Sequence, residues 1–259
     1  MEEKLKAFER LLNIMDELRA KCPWDKEQTN ESLRTLTIEE TYELTEAIYN
    51  KDIQGIKKEL GDVLLHIVFY SKIGSETNDF DIKDVINSLC EKLIYRHPHI
   101  FGDVHVKDSG EVMQNWEQLK LKEKNGNKTV LEGIPNALPA MIKAYRIQDK
   151  VRGVGFDWDF KEQVWSKISE EINELSHEIS KLDADKMEAE FGDVFFALIN
   201  ACRLYGINPE NALQRTNEKF IKRFHYLETE SKKDGKSLKD MNVQDMDVYW
   251  EKAKQFDKK

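Results

Sequence analysis

Apolar positions along this chain recur at intervals of three and four, the spacing of amphipathic helices. Leu5, Phe8, Leu12, Met15 and Leu18 mark an opening helix. It is expected to stop before Cys22-Pro23-Trp24-Asp25, because proline disfavours helix in the residue ahead of it. Thr37 reads as the cap of the next helix, with Glu40 three residues on as its capping-box partner. A polar break, Asn50-Lys51-Asp52, separates that helix from one running through about Ser71. A fourth covers roughly Ile82 to Tyr95 and ends near Arg96-His97-Pro98. Residues 121–139 concentrate Asn, Gly and Pro and read as a linker. Beyond them a helix is expected at about Pro139–Val151, then a loop Gly153–Asp159, then helices near 162–181, 186–205 and 209–232.

The second set of helices repeats the first. Glu40, Glu43, Glu59 and Asp62 recur as Glu171, Glu174, Glu190 and Asp193, every member displaced by 131 residues. Each set carries an extra acid in front (Glu39, Glu170) and a glycine before its aspartate (Gly61, Gly192). Lys26-Glu27-Gln28 returns as Lys161-Glu162-Gln163, and Trp116-Glu117-x-x-Lys120 as Trp250-Glu251-x-x-Lys254. Glu91-Lys92-x-Ile94-x-Arg96 returns as Glu218-Lys219-x-Ile221-x-Arg223. A repeat of this length is a whole domain rather than a solenoid unit. The expected fold is therefore all-α, with two tandem repeated helical-bundle domains at 1–125 and 130–259. With 12 Gly and 5 Pro in 259 residues, and 34% of them charged, the composition suits helices with charged outer faces.

The spacing also predicts where the acids go. If the two helices of the first set form an antiparallel hairpin, Glu43 pairs with Glu59 and Glu40 with Asp62, both about Lys51 in the polar break. In the second set both pairs centre on Leu182, beside the turn Leu182-Asp183-Ala184-Asp185. Acids three apart lie on one side of a helix, and packed helices lie about 8–10 Å apart, so facing carboxylates can share a cation. The helices carrying Glu59 and Glu190 run on into Val63–Tyr70 and Val194–Ile199, apolar nearly all round, which predicts burial. Four converging acids repel one another, and Mg²⁺ or Mn²⁺ relieves that repulsion. A single ExxE in a chain with 49 acids is more often a solvated helix face or a capping box; eight acids held in register are not.

Other features narrow the class. The net charge of −9 argues against general nucleic-acid binding. Cys22, Cys90 and Cys202 are far apart and in no metal-binding spacing, as expected of reduced thiols in the cytoplasm. MEEKLKAFER is too charged for a secretory leader, and the run Val63–Tyr70 is too short to cross a bilayer, so no membrane association is expected. A ferritin-type di-metal bundle needs two Glu-x-x-His motifs. Only Glu174-x-x-His177 qualifies; its twin is Glu43-x-x-Glu46. His66 follows Asp62 by four, but its twin is Ala197, so it reads as a core histidine rather than a ligand. Lys219 and Arg223, four apart on one helix, suit a polyphosphate clamp or a salt-bridged outer face. Trp250 suits a stacking surface for a base or a packing contact.

Several segments together resemble the MazG family: EExxE followed by E-[LF]-G-D, Cys22–Thr29, the stretch KLIYRHPHIFG at Lys92–Gly102, and Asn217-Glu-Lys-Phe-x-x-Arg223. The resemblance covers essentially the whole chain in the family's two-domain form. It implies hydrolysis of nucleoside triphosphates to monophosphate and pyrophosphate, Mg²⁺ dependence, low base selectivity and a homodimer. Carried over by position, it implies metal ligands at Glu171, Glu174, Glu190 and Asp193, and nucleotide contacts at Lys167, Lys186, Lys219, Arg223 and Trp250. Catalysis is expected at Glu170, Glu171 and Glu174, in the second half; nothing in Glu40, Glu43, Glu59 and Asp62 marks the first half as defective. The alternatives are a narrow house-cleaning enzyme for dUTP, dCTP or a damaged nucleotide, and a non-catalytic helical scaffold in the first half.

Overall fold

The computed structural model describes residues 1–123 and 128–258, and among these it is helical with no strand. The first seven helices are α1 (Glu2–Lys21), α2 (Pro23–Glu27), α3 (Asn30–Tyr49), α4 (Ile53–Glu76), α5 (Ile82–Arg96), α6 (Pro98–Phe101) and α7 (Ser109–Lys122). The remainder are α8 (Ala140–Arg152), α9 (Val164–Lys181), α10 (Ala184–Leu204), α11 (Pro209–Lys233) and α12 (Val243–Lys254). The chain divides into two compact units, Met1–His105 and Val106–Lys259. The boundary expected at residue 125 falls among residues 124–127, outside the described residues.

Each unit is built on one hairpin, α3 with α4 and α9 with α10. The two turns match in detail. Lys51 and Leu182 both adopt left-handed backbone, at φ 56° and 57°. Asp52 and Asp183, the next residues, both cap the returning helix by accepting from the amides of Gln54 and Lys186. Neither left-handed residue is glycine, so each turn carries a modest strain that the packed helices hold. These are the residues about which the acids were expected to pair.

In the first unit α1 and α5 pack on α4. Met15, Leu33, Val68 and Phe69 form the core, with Leu12, Leu36, Leu65 and Tyr70 packed around it. Arg19 on α1 pins the unit's far end, donating to the Gln28 carbonyl at 3.1 Å and from its Nε to Glu76 at 2.9 Å. In the second unit α8 and α11 pack with α10, and α12 lies along α11. Its core is Val164, Ile168, Ala197 and Ala201. Tyr249 on α12 donates to Asp234 at 2.6 Å, tying that helix to the end of α11.

Two expectations are corrected. Thr37 does not begin a helix. Helix α3 starts at Asn30, capped by Thr29, which accepts from the Ser32 amide while Ser32 Oγ accepts from the Thr29 amide. Glu40 is thereby mid-helix and free of any capping role. Thr37 instead lies inside the hairpin, its hydroxyl 2.9 Å from His66 Nδ1 and 2.7 Å from the Tyr70 hydroxyl. His66 is the core histidine expected from its alanine twin, 7% exposed and held toward the neutral form by burial. The second correction concerns the apolar runs, which are buried along one side only. Val68 and Phe69 are buried, whereas Ile67, Phe195 and Leu198 are exposed. Two or three neighbouring helices cover only part of an apolar cylinder. No described helix is long and apolar enough to cross a membrane.

The segment ahead of α8 is fixed by a buried lysine. Lys150, 3% exposed, donates to the carbonyls of Val130 and Glu132, each at 2.9 Å. Charge-assisted bonds of this kind contribute about 1.5–3 kcal/mol when their loss strands buried groups. Lys150→Met is expected to destabilise the second unit by about that amount, read as a lowered urea midpoint. An unchanged midpoint would show that the clamp contributes nothing.

Candidate metal and phosphate site

The two hairpins bring their glutamates together as the spacing predicts. One carboxylate oxygen each from Glu40, Glu43 and Glu59 lies within 4.8 Å of the others, and the same holds for Glu171, Glu174 and Glu190. In both groups the i, i+3 pair comes from the first helix of the hairpin and the third acid from the second. Asp62 and Asp193 stand outside these groups. Asp62 lies 3.6 Å from Lys58 Nζ and is close enough to raise the pKa of Glu40. Asp193 lines a cavity that opens beside the second group.

Crowding shows in the acidities. Burial, then Asp62, Glu43 and Glu59, push the Glu40 carboxyl above its ordinary range. Burial, then Glu171, Glu170 and Glu190, do the same to Glu174. Both groups therefore favour a positive charge close by. Each hairpin supplies an ammonium, but from a different place. In the first, Lys58 Nζ lies 2.9 Å from Glu59 and 3.9 Å from Glu43. In the second, Lys167 Nζ lies 2.8 Å from Glu171 and 2.9 Å from Glu170, and the two carboxylates raise its pKa. The twin of Lys58 is Ala189 and the twin of Lys167 is Leu36, so the two ammoniums are not a feature of the repeat.

A divalent cation suits what the ammoniums leave unmet. Oε2 of Glu59 and Oε2 of Glu190 occupy the same repeat position. Both are shielded, and neither has a hydrogen-bond partner among the described residues. A buried carboxylate oxygen without a partner is costly. An all-oxygen donor set of three glutamates with an aspartate nearby matches Mg²⁺ or Mn²⁺ rather than a soft metal.

The other expected nucleotide contacts are placed less compactly. Lys186 lies at the hairpin turn, 3.4 Å from Asp183. Arg223 sits over the Trp250 ring at 5.6 Å, and Phe220 packs against the same ring at 4.9 Å. Lys219 shares α11 with Arg223. One feature escaped the sequence reading, namely a cavity of about 560 Å³ whose wall includes Lys167, Glu171 and Asp193. Its opening depends on side-chain sizes at positions spread over α8, α9 and α10, and no local motif announces it.

The chain is similar to known proteins along its length. The model of the MazG nucleotide pyrophosphohydrolase domain matches residues 28–101 and again residues 161–227, so one acid cluster falls in each match. The chain is 44% identical to the nucleoside triphosphate pyrophosphohydrolase/pyrophosphatase MazG of Thermotoga maritima, over 98% of both chains. It is 39% identical to the nucleoside triphosphate pyrophosphohydrolase of Escherichia coli K12, over 95% of this chain and 97% of that one. It is also 45% identical to the protein YabN of Bacillus subtilis, of which it covers 54%. Two matched domains, each with its acid hairpin, and similarity along nearly the full length of two relatives place this chain in the MazG family.

Proposed function

We propose that this chain hydrolyses nucleoside triphosphates to nucleoside monophosphate and pyrophosphate, with Mg²⁺, at the acid cluster of the second domain. The observation that carries this reading is the convergence of Glu171, Glu174 and Glu190 at the edge of the 560 Å³ cavity. Glu171, Glu174 and Glu190 would hold the cation, with Asp193 beside them. The cation would supply charge neutralisation at the phosphates and polarisation of the attacked phosphorus.

The chain's own residues supply the rest. Lys167, already against Glu171, offers an ammonium to a phosphate oxygen entering beside the acids. Lys219 and Arg223 on α11 are the groups to neutralise the departing pyrophosphate, and Trp250 holds the Arg223 guanidinium in place. Glu170 is the candidate to take the proton from the attacking water, with Lys167 orienting its carboxylate at 2.9 Å. Broad base selectivity is favoured over a narrow house-cleaning role because the cavity wall is largely apolar and aromatic. A homodimer is supported by the apolar faces left open on both hairpins, among them Ile67, Phe195 and Leu198. The scaffold reading keeps its force for the first domain, where Lys58 occupies the centre of the acids.

Pyrophosphate release from ATP with Mg²⁺ tests the assignment. Glu171→Gln/Glu174→Gln is expected to lose at least ~100-fold in turnover, the scale set by removing one preorganised electrostatic group. Glu40→Gln/Glu43→Gln should stay within about twofold of wild type, since the proposed reaction draws its electrostatic groups from the second domain alone. The reverse pattern would move the reaction to the first domain. Glu170→Gln should lose turnover while still binding nucleotide; unchanged turnover would remove Glu170 from its role.

The acidities give a second test. A protonated Glu174 cannot ligate, so Mn²⁺ affinity should fall as pH drops through its raised pKa, beginning above the ordinary glutamate value of 4.5. Glu170→Gln removes one repelling charge and should move that fall to lower pH. Calorimetric Mn²⁺ titrations across pH measure both, and an onset unmoved by the substitution would contradict the electrostatic account.

A further inference from the structure

The two domains differ most where the cavity opens, and the differences are ordered. Across the repeat His66 answers to Ala197, Phe69 to Asn200 and Tyr70 to Ala201. Along the preceding helix, where the matching Ile-x-Asp triplets lie 133 rather than 131 residues apart, Ile14-Met15-Asp16 answers to Ile147-Gln148-Asp149. In the first domain Met15, His66 and Phe69 are at most 7% exposed and packed into the core and its border. In the second, three bulky side chains have become alanine or asparagine and a methionine has become glutamine. A cavity of about 560 Å³ stands in the second domain, with Gln148, Ala197 and Asn200 in its wall. Random loss of packing would leave an apolar void. Here the replacements at two of the four positions are amides.

Those amides are unevenly engaged. Gln148 is 4% exposed, and its Nε2 donates to the Phe196 carbonyl at 2.8 Å. Its Oε1 is shielded and, among the described residues, has no hydrogen-bond partner. Asn200 Oδ1 accepts from Arg203 Nε at 3.1 Å and Nη2 at 2.8 Å, and Arg203 is anchored in turn on Asp157. That fixes the Asn200 carbonyl and leaves its N–H groups as donors. Phe156, Trp158 and Phe196 add flat apolar surface to the same wall. Concave aromatic surface with a few fixed polar groups, in a volume of this order, describes a small-molecule pocket.

We propose that this cavity is a nucleobase pocket and that Gln148 is the residue that reads the base, its side-chain carbonyl accepting from an N–H on the base edge. The proposal rests on the reading of the adjoining acids as a triphosphate site and supplies the part of the ligand that reading left unplaced. Gln148 accepts from the exocyclic amino group of adenine or cytosine, or the ring N–H of guanine or uracil. Every ordinary base satisfies it, and a base without an N–H edge does not. A buried acceptor left unpaired is what makes a site reject the analogue lacking the donor. Asn200, held by Arg203, supplies the complementary donor. In the first domain the buried Met15 and Phe69 take these positions, and neither offers an amide to a base.

The test is binding, read without turnover. Dissociation constants for α,β-methylene-ATP and for the same analogue of purine riboside, which lacks the 6-amino group, are measured by calorimetry with Mn²⁺. Wild type is expected to bind the adenine analogue at least ~10-fold tighter. Gln148→Leu should weaken the adenine analogue to within about twofold of the purine one, with the purine analogue little changed. Ala197→His, which restores the first domain's residue, should weaken both while leaving Mn²⁺ affinity intact. Equal affinity of wild type for the two analogues would overturn the proposal, and so would a preference that survives Gln148→Leu. Should Gln148→Leu fail to fold, the wild-type comparison still decides. Pyrophosphate release is followed separately in the same preparations. Its absence with selective binding retained would contradict the reaction and leave the pocket standing.

Discussion

Carboxylates whose oxygens come within 4.8 Å of one another repel, and a partly dry hairpin strengthens that repulsion. In this chain the arrangement occurs twice, and most local features follow from the need to compensate it. Lys58 enters one cluster and Lys167 the other from helices that do not correspond in the repeat. Glu40 and Glu174 hold their protons more tightly than an ordinary glutamate. One shielded oxygen in each cluster, at the same repeat position, has no hydrogen-bond partner among the described residues. The common element is a demand for positive charge; the ammoniums meet part of it, and under the proposed function a hard divalent cation would meet the rest. The left-handed turns at Lys51 and Leu182 set the register that creates the demand.

The domains answer this shared constraint differently. The first packs His66, Phe69 and Tyr70 behind its acids and bonds Thr37 into that packing. The second leaves space behind its acids and lines that space with amides and aromatic rings. The same hairpin thus backs its acids with buried side chains in one copy and borders a cavity in the other. Duplication makes this division easy.

Much of this was legible in the sequence. The repeat displacement of 131 residues and the midpoints at Lys51 and Leu182 anticipated both hairpins and their turns. Identical spacing on antiparallel helices leaves little geometric freedom. The reading of Thr37 as a helix cap failed because a threonine can bond its own helix or a neighbour as readily as an N-terminus; the cap lay at Thr29. The expectation of all-round burial failed because periodicity reports apolar faces but not what covers them. Lys58 went unnoticed because a lysine next to acids is ordinary on any helix, and only the fold brings it within reach of Glu43, Glu59 and Asp62. The cavity was invisible because it depends on which side chains of α8, α9 and α10 come together in its wall, Gln148, Ala197 and Asn200 among them.

The central claim is that Glu171, Glu174 and Glu190 jointly hold a divalent cation. Anomalous diffraction from crystals of the full chain grown with Mn²⁺ tests it directly. The account predicts a peak at the second hairpin within carboxylate-bonding distance, about 2.0–2.6 Å, of oxygens from all three glutamates. A well-ordered second hairpin with no peak there at saturating Mn²⁺, and the three side chains turned to solvent, would contradict it.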